Sequence, residues 1–274
     1  MIIVYAIGVL GILGAIFGVV LAVASKVFAV ETDERLEPMI EALPGANCGG
    51  CGYSGCAAYA QAVIEGKAKI GLCASGGNES AQAMAKIMGV EAEAVERKVA
   101  MVMCRGVNIA QKGQYDGIQD CLAASKVAGK GPMVCEYGCL GFGTCLKACK
   151  YGALSLKNGR AHIDADKCVG CMSCVEVCPR HVIAPVPYHA DIVVACNSRA
   201  KGNVVMKGCD IGCLGCKLCQ RACPNDAIKV VNNLAQIDYS KCVSCGLCAE
   251  ACPRNLIADA NLRQDQDLVP AKAR

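Results

Sequence analysis

The chain has no tryptophan, three phenylalanines and three histidines among its 274 residues. With so little aromatic surface, an ordinary large core built on aromatic and β-branched side chains is excluded as the main source of folding energy. Basic blocks interleaved with aromatics are missing as well, so the formal charge of +4 is no argument for nucleic-acid binding. The three histidines, His162, His181 and His189, stand apart beside strand-like segments or after a cysteine run, where packing and surface roles explain them. A Rieske centre would need paired Cys/His runs, and none is present. No G-x-G-x-x-G follows a strand-like segment and no Walker sequence occurs, so no nucleotide site is indicated.

What the chain has in quantity is cysteine, 24 residues of it. A disulfide scaffold and a reduced metal-binding protein are the two readings such a count allows. The pattern decides between them. Cys168-x2-Cys171-x2-Cys174-x3-Cys178-Pro179 recurs as Cys213-x2-Cys216-x2-Cys219-x3-Cys223-Pro224 and as Cys242-x2-Cys245-x2-Cys248-x3-Cys252-Pro253. This is the bacterial ferredoxin run for [4Fe–4S] clusters, whose fourth cysteine ligates the other cluster of a pair. Three thiolates close in sequence wrap three corners of a cube. The fourth corner is met by a cysteine just before a proline that turns the chain away. Cluster binding and folding are then coupled, which supplies what the missing aromatics do not. Each oxidised cluster with four thiolates carries about −2, so six would bring the holo-chain from +4 to about −8.

In chain order, Ile2 to Ala24 carries no charged residue and is expected to be a single transmembrane anchor. Lys26 and Arg35 follow it and no Lys or Arg precedes it, which places the bulk of the chain in the cytoplasm. Gly14-x3-Gly18 offers a small-residue face to another helix. Next comes Leu43-Pro-Gly-Ala-Asn-Cys48-Gly-Gly-Cys51-Gly-Tyr-Ser-Gly-Cys56, with Cys73 sixteen residues further on. Glycines here permit positive φ, and the set reads as a separate [4Fe–4S] module with a short helix over 57–64. Residues 79–103 read as helical with a break near Gly89. Cys104 and Cys121 are isolated.

From Cys135 an internal repeat takes over. Its eight cysteines, from Cys135 to Cys178, recur 74 residues on, from Cys209 to Cys252. Between the runs, 153–156 and 161–164 flank Asn158-Gly159, a strong hairpin signal; 228–231 and 235–238 are their repeat. One position breaks the symmetry: Phe142 stands where Cys216 stands in the second unit, and Lys150 where Pro224 stands. Cys135 is the expected substitute ligand. The fold class expected is α+β. It comprises an anchor over 1–26, a [4Fe–4S] module over 31–92, a helical connector over 93–134 and a first two-cluster ferredoxin unit over 135–190. A linker over 191–208, a second such unit over 209–260 and a disordered tail over 261–274 complete it.

Swapping fourth cysteines within each unit gives the expected ligand sets. They are Cys48/Cys51/Cys56/Cys73, Cys135/Cys139/Cys145/Cys178, Cys149/Cys168/Cys171/Cys174, Cys213/Cys216/Cys219/Cys252 and Cys223/Cys242/Cys245/Cys248. Four cysteines remain, Cys104, Cys121, Cys196 and Cys209, the number a sixth cluster requires; the alternative is four unligated thiols. Exchange of Cys135 with one of the four stays open, because Cys121/Cys135 and Cys196/Cys209 are similarly spaced. No catalytic residue is expected.

The anchor, the Leu43–Cys56 motif and the tandem ferredoxin units in this order resemble the B subunit of the Rnf complex, the ion-translocating ferredoxin:NAD+ oxidoreductase, in its longer clostridial or acetogen-type form. The resemblance implies a single-pass subunit at the bacterial cell membrane. It would take electrons from reduced ferredoxin and pass them to other subunits of the same complex, with ion transport belonging to those partners. A polyferredoxin subunit of a hydrogenase or formate dehydrogenase would share the 135–253 repeat but not the 43–56 module.

Overall fold

The computed structural model describes residues 2–27, 33–91, 96–105, 111–113 and 115–259. The tail expected over 261–274 lies outside the described residues. Ile2–Val27 forms one helix, α1. The expected transmembrane anchor is nevertheless corrected, because among the described residues no helix is long and apolar enough to cross a membrane.

The N-terminal module is three short helices, α2 (Leu36–Glu41), α3 (Cys56–Ile64) and α4 (Gly77–Met88). They close on a small core of Met39, Leu43, Tyr59, Val63 and Met84. Tyr59 is buried to the ring, and its hydroxyl is satisfied: it donates to the Lys69 carbonyl (2.9 Å) and accepts from the Leu72 amide (3.1 Å). The 69–72 segment that delivers Cys73 is thereby pinned to α3. Gly89 ends α4 in the left-handed region, φ 68°, as the sequence break implies.

The helix expected to resume after Gly89 does not reach 103. Lys98–Val102 is instead a strand, β1. Ala, Met, Glu and Lys in 79–103 favour helix, but Val99 and Ala100 are buried in the first ferredoxin core, and that burial overrides propensity. After β1 come α5 (Cys121–Lys126), α6 (Thr144–Ala148), β2 (Leu154–Lys157), β3 (Arg160–Ile163), α7 (Ser173–Glu176) and β4 (Ile183–Pro187). The second unit has β5 (Ile192–Val194), α8 (Gly202–Gly208), α9 (Leu218–Ala222), β6 (Ile228–Val231), β7 (Leu234–Ile237), α10 (Leu247–Glu250) and β8 (Ile257–Asp259).

The repeat is exact at the level of elements. α6, β2, β3 and α7 recur as α9, β6, β7 and α10, each shifted by 74 residues. The hairpins β2–β3 and β6–β7 pair antiparallel in the same register, Leu154 with Ile163 and Ile228 with Ile237. Each unit also has a second antiparallel pair that brings its two ends together. Val102 pairs with Ile183 in β1–β4, and Val194 with Ile257 in β5–β8. The segments expected as connector and linker thus supply the first strand of each ferredoxin unit.

The cores of both units are built from small and β-branched residues and from cysteines. Ala153, Ala161, Val182 and Ile183 form the first, and Ala235, Ile228, Leu256 and Ile257 the second. Gly141 takes φ 79° and Gly215, its repeat mate, φ 68°. A Cβ at Gly141 would strike the Gly159 carbonyl of the facing hairpin turn, so the run that carries Cys139 and Cys145 packs directly on β2–β3.

Candidate functional site

All 24 cysteines are free thiols, and short elements gather them around small spaces. Cys48, Cys51, Cys56 and Cys73 line one cavity of the N-terminal module. The Gly50 backbone presses on the neighbouring ferredoxin unit there: a Cβ on Gly50 would lie 2.6 Å from the Cys171 carbonyl oxygen, and Cys171 itself lines the same cavity. Tyr151 joins the two bodies by donating to Ser75 Oγ (3.4 Å), and Ser75 also lies 3.6 Å from Cys48 Sγ.

Cys149, Cys168, Cys171 and Cys174 converge in the first unit. Burial first, and then the charges of Cys168, Cys171, Cys145 and Cys149, push the Cys174 thiol up to about 12. Because Cys145 belongs to the adjoining set, its influence on Cys174 also reflects how closely the two sets of this unit stand. Cys223, Cys242, Cys245 and Cys248 line a corresponding cavity in the second unit. There Cys248 is pushed to about 12 by burial, then by Cys242, by Cys219 of the other set, and by Cys223 and Cys245. Cys219, raised to about 11 by burial and by Cys213, Cys252 and Cys216, marks the remaining set of that unit.

The structure groups one set differently from the sequence expectation. The cavity that holds Cys139, Cys145 and Cys178 takes Cys121, not Cys135, as its fourth thiol. The local reason is an N-cap. Asp120 accepts hydrogen bonds from the Leu122 and Ala123 amides (2.9 and 3.1 Å) and from the Thr144 hydroxyl (2.8 Å), while Thr144 Oγ accepts from the Cys121 amide (2.9 Å). The start of α5 is thereby clamped to the start of α6, and Cys121 is carried to the place that Phe142 leaves without a thiol. These bonds hold the Asp120 carboxyl below the usual carboxylate range, the Ala123 amide contributing most.

Cys135 lies elsewhere, lining a larger cavity with Cys104, Cys196 and Cys209. Of the four cysteines left over in the sequence count, three are therefore together, and Cys135 has changed places with Cys121.

The donor set suits iron–sulfur clusters. Sulfurs receive main-chain N–H groups, from Ala100 to Cys168 (3.5 Å), from Ala161 to Cys139 (3.4 Å) and from Ala227 to Cys223 (3.4 Å), which is how proteins tune such centres. Buried thiols raised to about 12, such as Cys145, are neutral at pH 7, and a coordinating metal would deprotonate them. The histidines join none of these sets, and His162 lies in β3 opposite Ser155.

Comparison with known proteins agrees. Residues 43–75 match an Fe-S cluster family, 161–184 the 4Fe-4S binding domain family and 212–256 the 4Fe-4S dicluster domain family. The B subunit of the Na(+)-translocating ferredoxin:NAD(+) oxidoreductase complex of Acetobacterium woodii is 45% identical over 86% of this chain and 71% of its own length. This chain belongs to that B-subunit family. Two other members are the B subunit of the proton-translocating ferredoxin:NAD(+) oxidoreductase complex of Clostridium ljungdahlii, 44% identical over 85% of this chain and 83% of its own length, and the B subunit of the ion-translocating oxidoreductase complex of Methanosarcina acetivorans, 39% identical over 86% and 90%. As a member of this family the chain is an iron–sulfur redox subunit of an oxidoreductase complex, with 4Fe-4S domains in both repeats.

The exchange of Cys121 and Cys135 becomes legible in the sequence once β1 and β5 are known. Val102-Met-Cys104 and Val194-Ala-Cys196 are parallel strand endings, so Cys104 and Cys196 are a matched pair, as are Cys135 and Cys209. That leaves Cys121 as the extra residue of the damaged repeat.

Proposed function

We propose that this chain relays electrons from reduced ferredoxin to partner subunits of an ion-translocating ferredoxin:NAD+ oxidoreductase complex. Five [4Fe–4S] clusters would be held by Cys48/Cys51/Cys56/Cys73, Cys149/Cys168/Cys171/Cys174, Cys121/Cys139/Cys145/Cys178, Cys213/Cys216/Cys219/Cys252 and Cys223/Cys242/Cys245/Cys248. When bound, each supplies a one-electron couple, and such couples span roughly −700 to +450 mV. The observation that carries the reading is the close succession of the thiol sets, from the N-terminal module into the first ferredoxin unit and again within the second. The N-terminal set touches the first ferredoxin unit through Gly50 and Cys171, and the two sets of each unit adjoin through Cys174 and Cys145 and through Cys248 and Cys219.

The protein's own part is to fix these sets on short elements and to aim amide N–H groups at the sulfurs. The two ends of the series differ. At the C-terminal end Cys245 is exposed beside Val243, 66% exposed. At the N-terminal end the set is packed against the rest of the chain. Electrons are therefore expected to arrive at the C-terminal unit and to leave from the 48–73 module. The relatives' names give different ions, Na+ in one and protons in another, which fits an ion path carried by partner subunits.

The test uses the complex, purified without oxygen. Cys51→Ala should leave reduction of the C-terminal unit by reduced ferredoxin intact, seen as bleaching of visible absorption, while onward transfer to the partners is lost. If the variant loses reduction of the C-terminal unit together with onward transfer, electrons enter at the 48–73 module and the direction is reversed. Zinc in place of iron in the wild type would end the reading.

A further inference from the structure

The five sets leave one gap, between Cys121/Cys139/Cys145/Cys178 in the first unit and Cys213/Cys216/Cys219/Cys252 in the second. A cavity of about 240 Å³ fills it, lined by Cys104, Cys135, Cys196 and Cys209. We propose that these four thiols hold a sixth [4Fe–4S] cluster at a pseudo-twofold junction between the two ferredoxin units. This inference rests on the iron–sulfur reading of the chain above.

The symmetry of the junction is what distinguishes a built site from four stray thiols. Each unit gives two cysteines, and they are the same two. Cys104 follows β1 by two residues and Cys196 follows β5 by two, each where its strand leaves the pair with the unit's last strand. The matching main-chain bonds are Met103 N–H to the Val182 carbonyl (2.7 Å) and Ala195 N–H to the Leu256 carbonyl (3.4 Å), and 182 and 256 are 74 residues apart. Cys135 and Cys209 are repeat mates as well. Each has its carbonyl taken by the arginine that follows the Cys-Pro of its own unit: Arg180 donates to Cys135 O (2.8 Å) and Arg254 to Cys209 O (2.6 Å).

The contacts across the junction are reciprocal too. Arg105, next to Cys104, donates to the carbonyl of Asn255 in the second unit (2.6 Å). Asn197, next to Cys196, donates to the carbonyls of Arg180 and His181 in the first (both 3.1 Å), and His181 is the repeat mate of Asn255. A surface that contacts its own repeat mate in this way is the mark of an isologous interface, here made inside one chain.

Both neighbouring sets reach the cavity. The Cys213 amide lies 3.5 Å from Cys196 Sγ, which also accepts from the Ser198 amide at 3.4 Å. On the other side Arg180 ties the Cys135 carbonyl to that of Gly138 (2.9 Å), the residue before Cys139. The site therefore stands where a series of five needs a sixth member to be continuous.

Iron and acid-labile sulfide per chain are measured on anaerobically purified protein, with Cys→Ala at each of the four positions. The wild type should carry about 24 of each, at four per cluster. Each single variant should lose about four of each, and Cys135→Ala with Cys209→Ala should lose no more than either alone. Cys135→Ala with Cys178→Ala should lose about eight, since those two thiols serve different sets. Four positions are varied so that one misfolding variant leaves three to decide. A wild-type content of about 20, unchanged in Cys135→Ala and Cys209→Ala, overturns the sixth site and leaves the five-cluster reading standing. A loss of only four in the Cys135/Cys178 pair returns Cys135 to the other set and also overturns it. Negligible iron in the wild type defeats the iron–sulfur reading itself.

Discussion

The damaged repeat should be repairable. Cys121→Ala removes the thiol that the structure places with Cys139, Cys145 and Cys178, so about four iron and four sulfide should be lost. Phe142→Cys in the same chain should bring them back. The backbone around 142 already has the shape of an intact run: Gly141 and Gly143 take φ 79° and 75°, and their repeat mates Gly215 and Lys217 take 68° and 61°. α6 and α9 then begin at the same point, so a cysteine at 142 would sit as Cys216 does. The cost is the stacked contact between Phe142 and Tyr115, whose ring centroids are 5.4 Å apart. Such a pair contributes about 0.5–1.5 kcal/mol, little beside a typical folding free energy of about 5–15 kcal/mol. Iron, sulfide and the integrated electron paramagnetic resonance signal of the reduced protein are read for wild type, single and double variants. If Cys121→Ala keeps all its iron, the grouping around Cys121 is refuted. If the double variant stays about four iron short, the claimed equivalence of 142 and 216 fails.

Three further outcomes follow from contacts already described. Arg180 makes three main-chain hydrogen bonds, to Cys135, Gly138 and Lys130, whereas among the described residues Arg254 makes one, to Cys209, and has a buried Nε without a partner; at about 1.5–3 kcal/mol per charge-assisted bond, reduced by relaxation, Arg180→Ala should cost about 3–5 kcal/mol and Arg254→Ala about 1.5–3. Anaerobic guanidinium unfolding followed by visible absorption tests the order, and equal costs would contradict it. Gly50→Ala should push the N-terminal module off the Cys171 carbonyl without touching a ligand, so all iron should remain while magnetic coupling between that module and the first unit weakens; unchanged coupling would show that the close approach is not needed. Asp120, its carboxyl held low by its amide and hydroxyl donors, is charged at neutral pH and supports Cys121 until the pH falls through that lowered value. Asp120→Ala should therefore shed about four iron to a chelator at pH 7, while Asp33→Ala, whose carboxylate pairs among the described residues with exposed Arg35, should shed none.

Much of this architecture was legible in the cysteines. A run of fixed x2-x2-x3 spacing specifies which thiols can face one cluster, because three close ligands leave the chain few ways to turn, and the 74-residue period follows from writing that run out twice. The hairpins were legible for the same local reason, through Asn158-Gly159 and the repeat that carries the first hairpin onto the second. What local pattern could not give was anything decided at a distance. The helical composition of 79–103 conceals β1, because only the facing strand β4, some 80 residues later in the chain, makes an extended Val99-Ala100 worth burying. Cys121 and Cys135 exchange places because an N-cap on Asp120 and an arginine after a distant Cys-Pro hold them, and neither constraint lies within a cysteine run. The uncharged N-terminal run reads as a membrane span by composition alone, yet among the described residues no helix is long and apolar enough to be one. Symmetry is the exception that reaches across distance. Once β1 and β5 are seen as equivalent first strands, the cysteine two residues after each must be equivalent too, and the four thiols of the junction become two pairs facing one axis. An internal duplication of a two-cluster unit thus creates, at the contact between its copies, a thiol set that neither copy could complete alone.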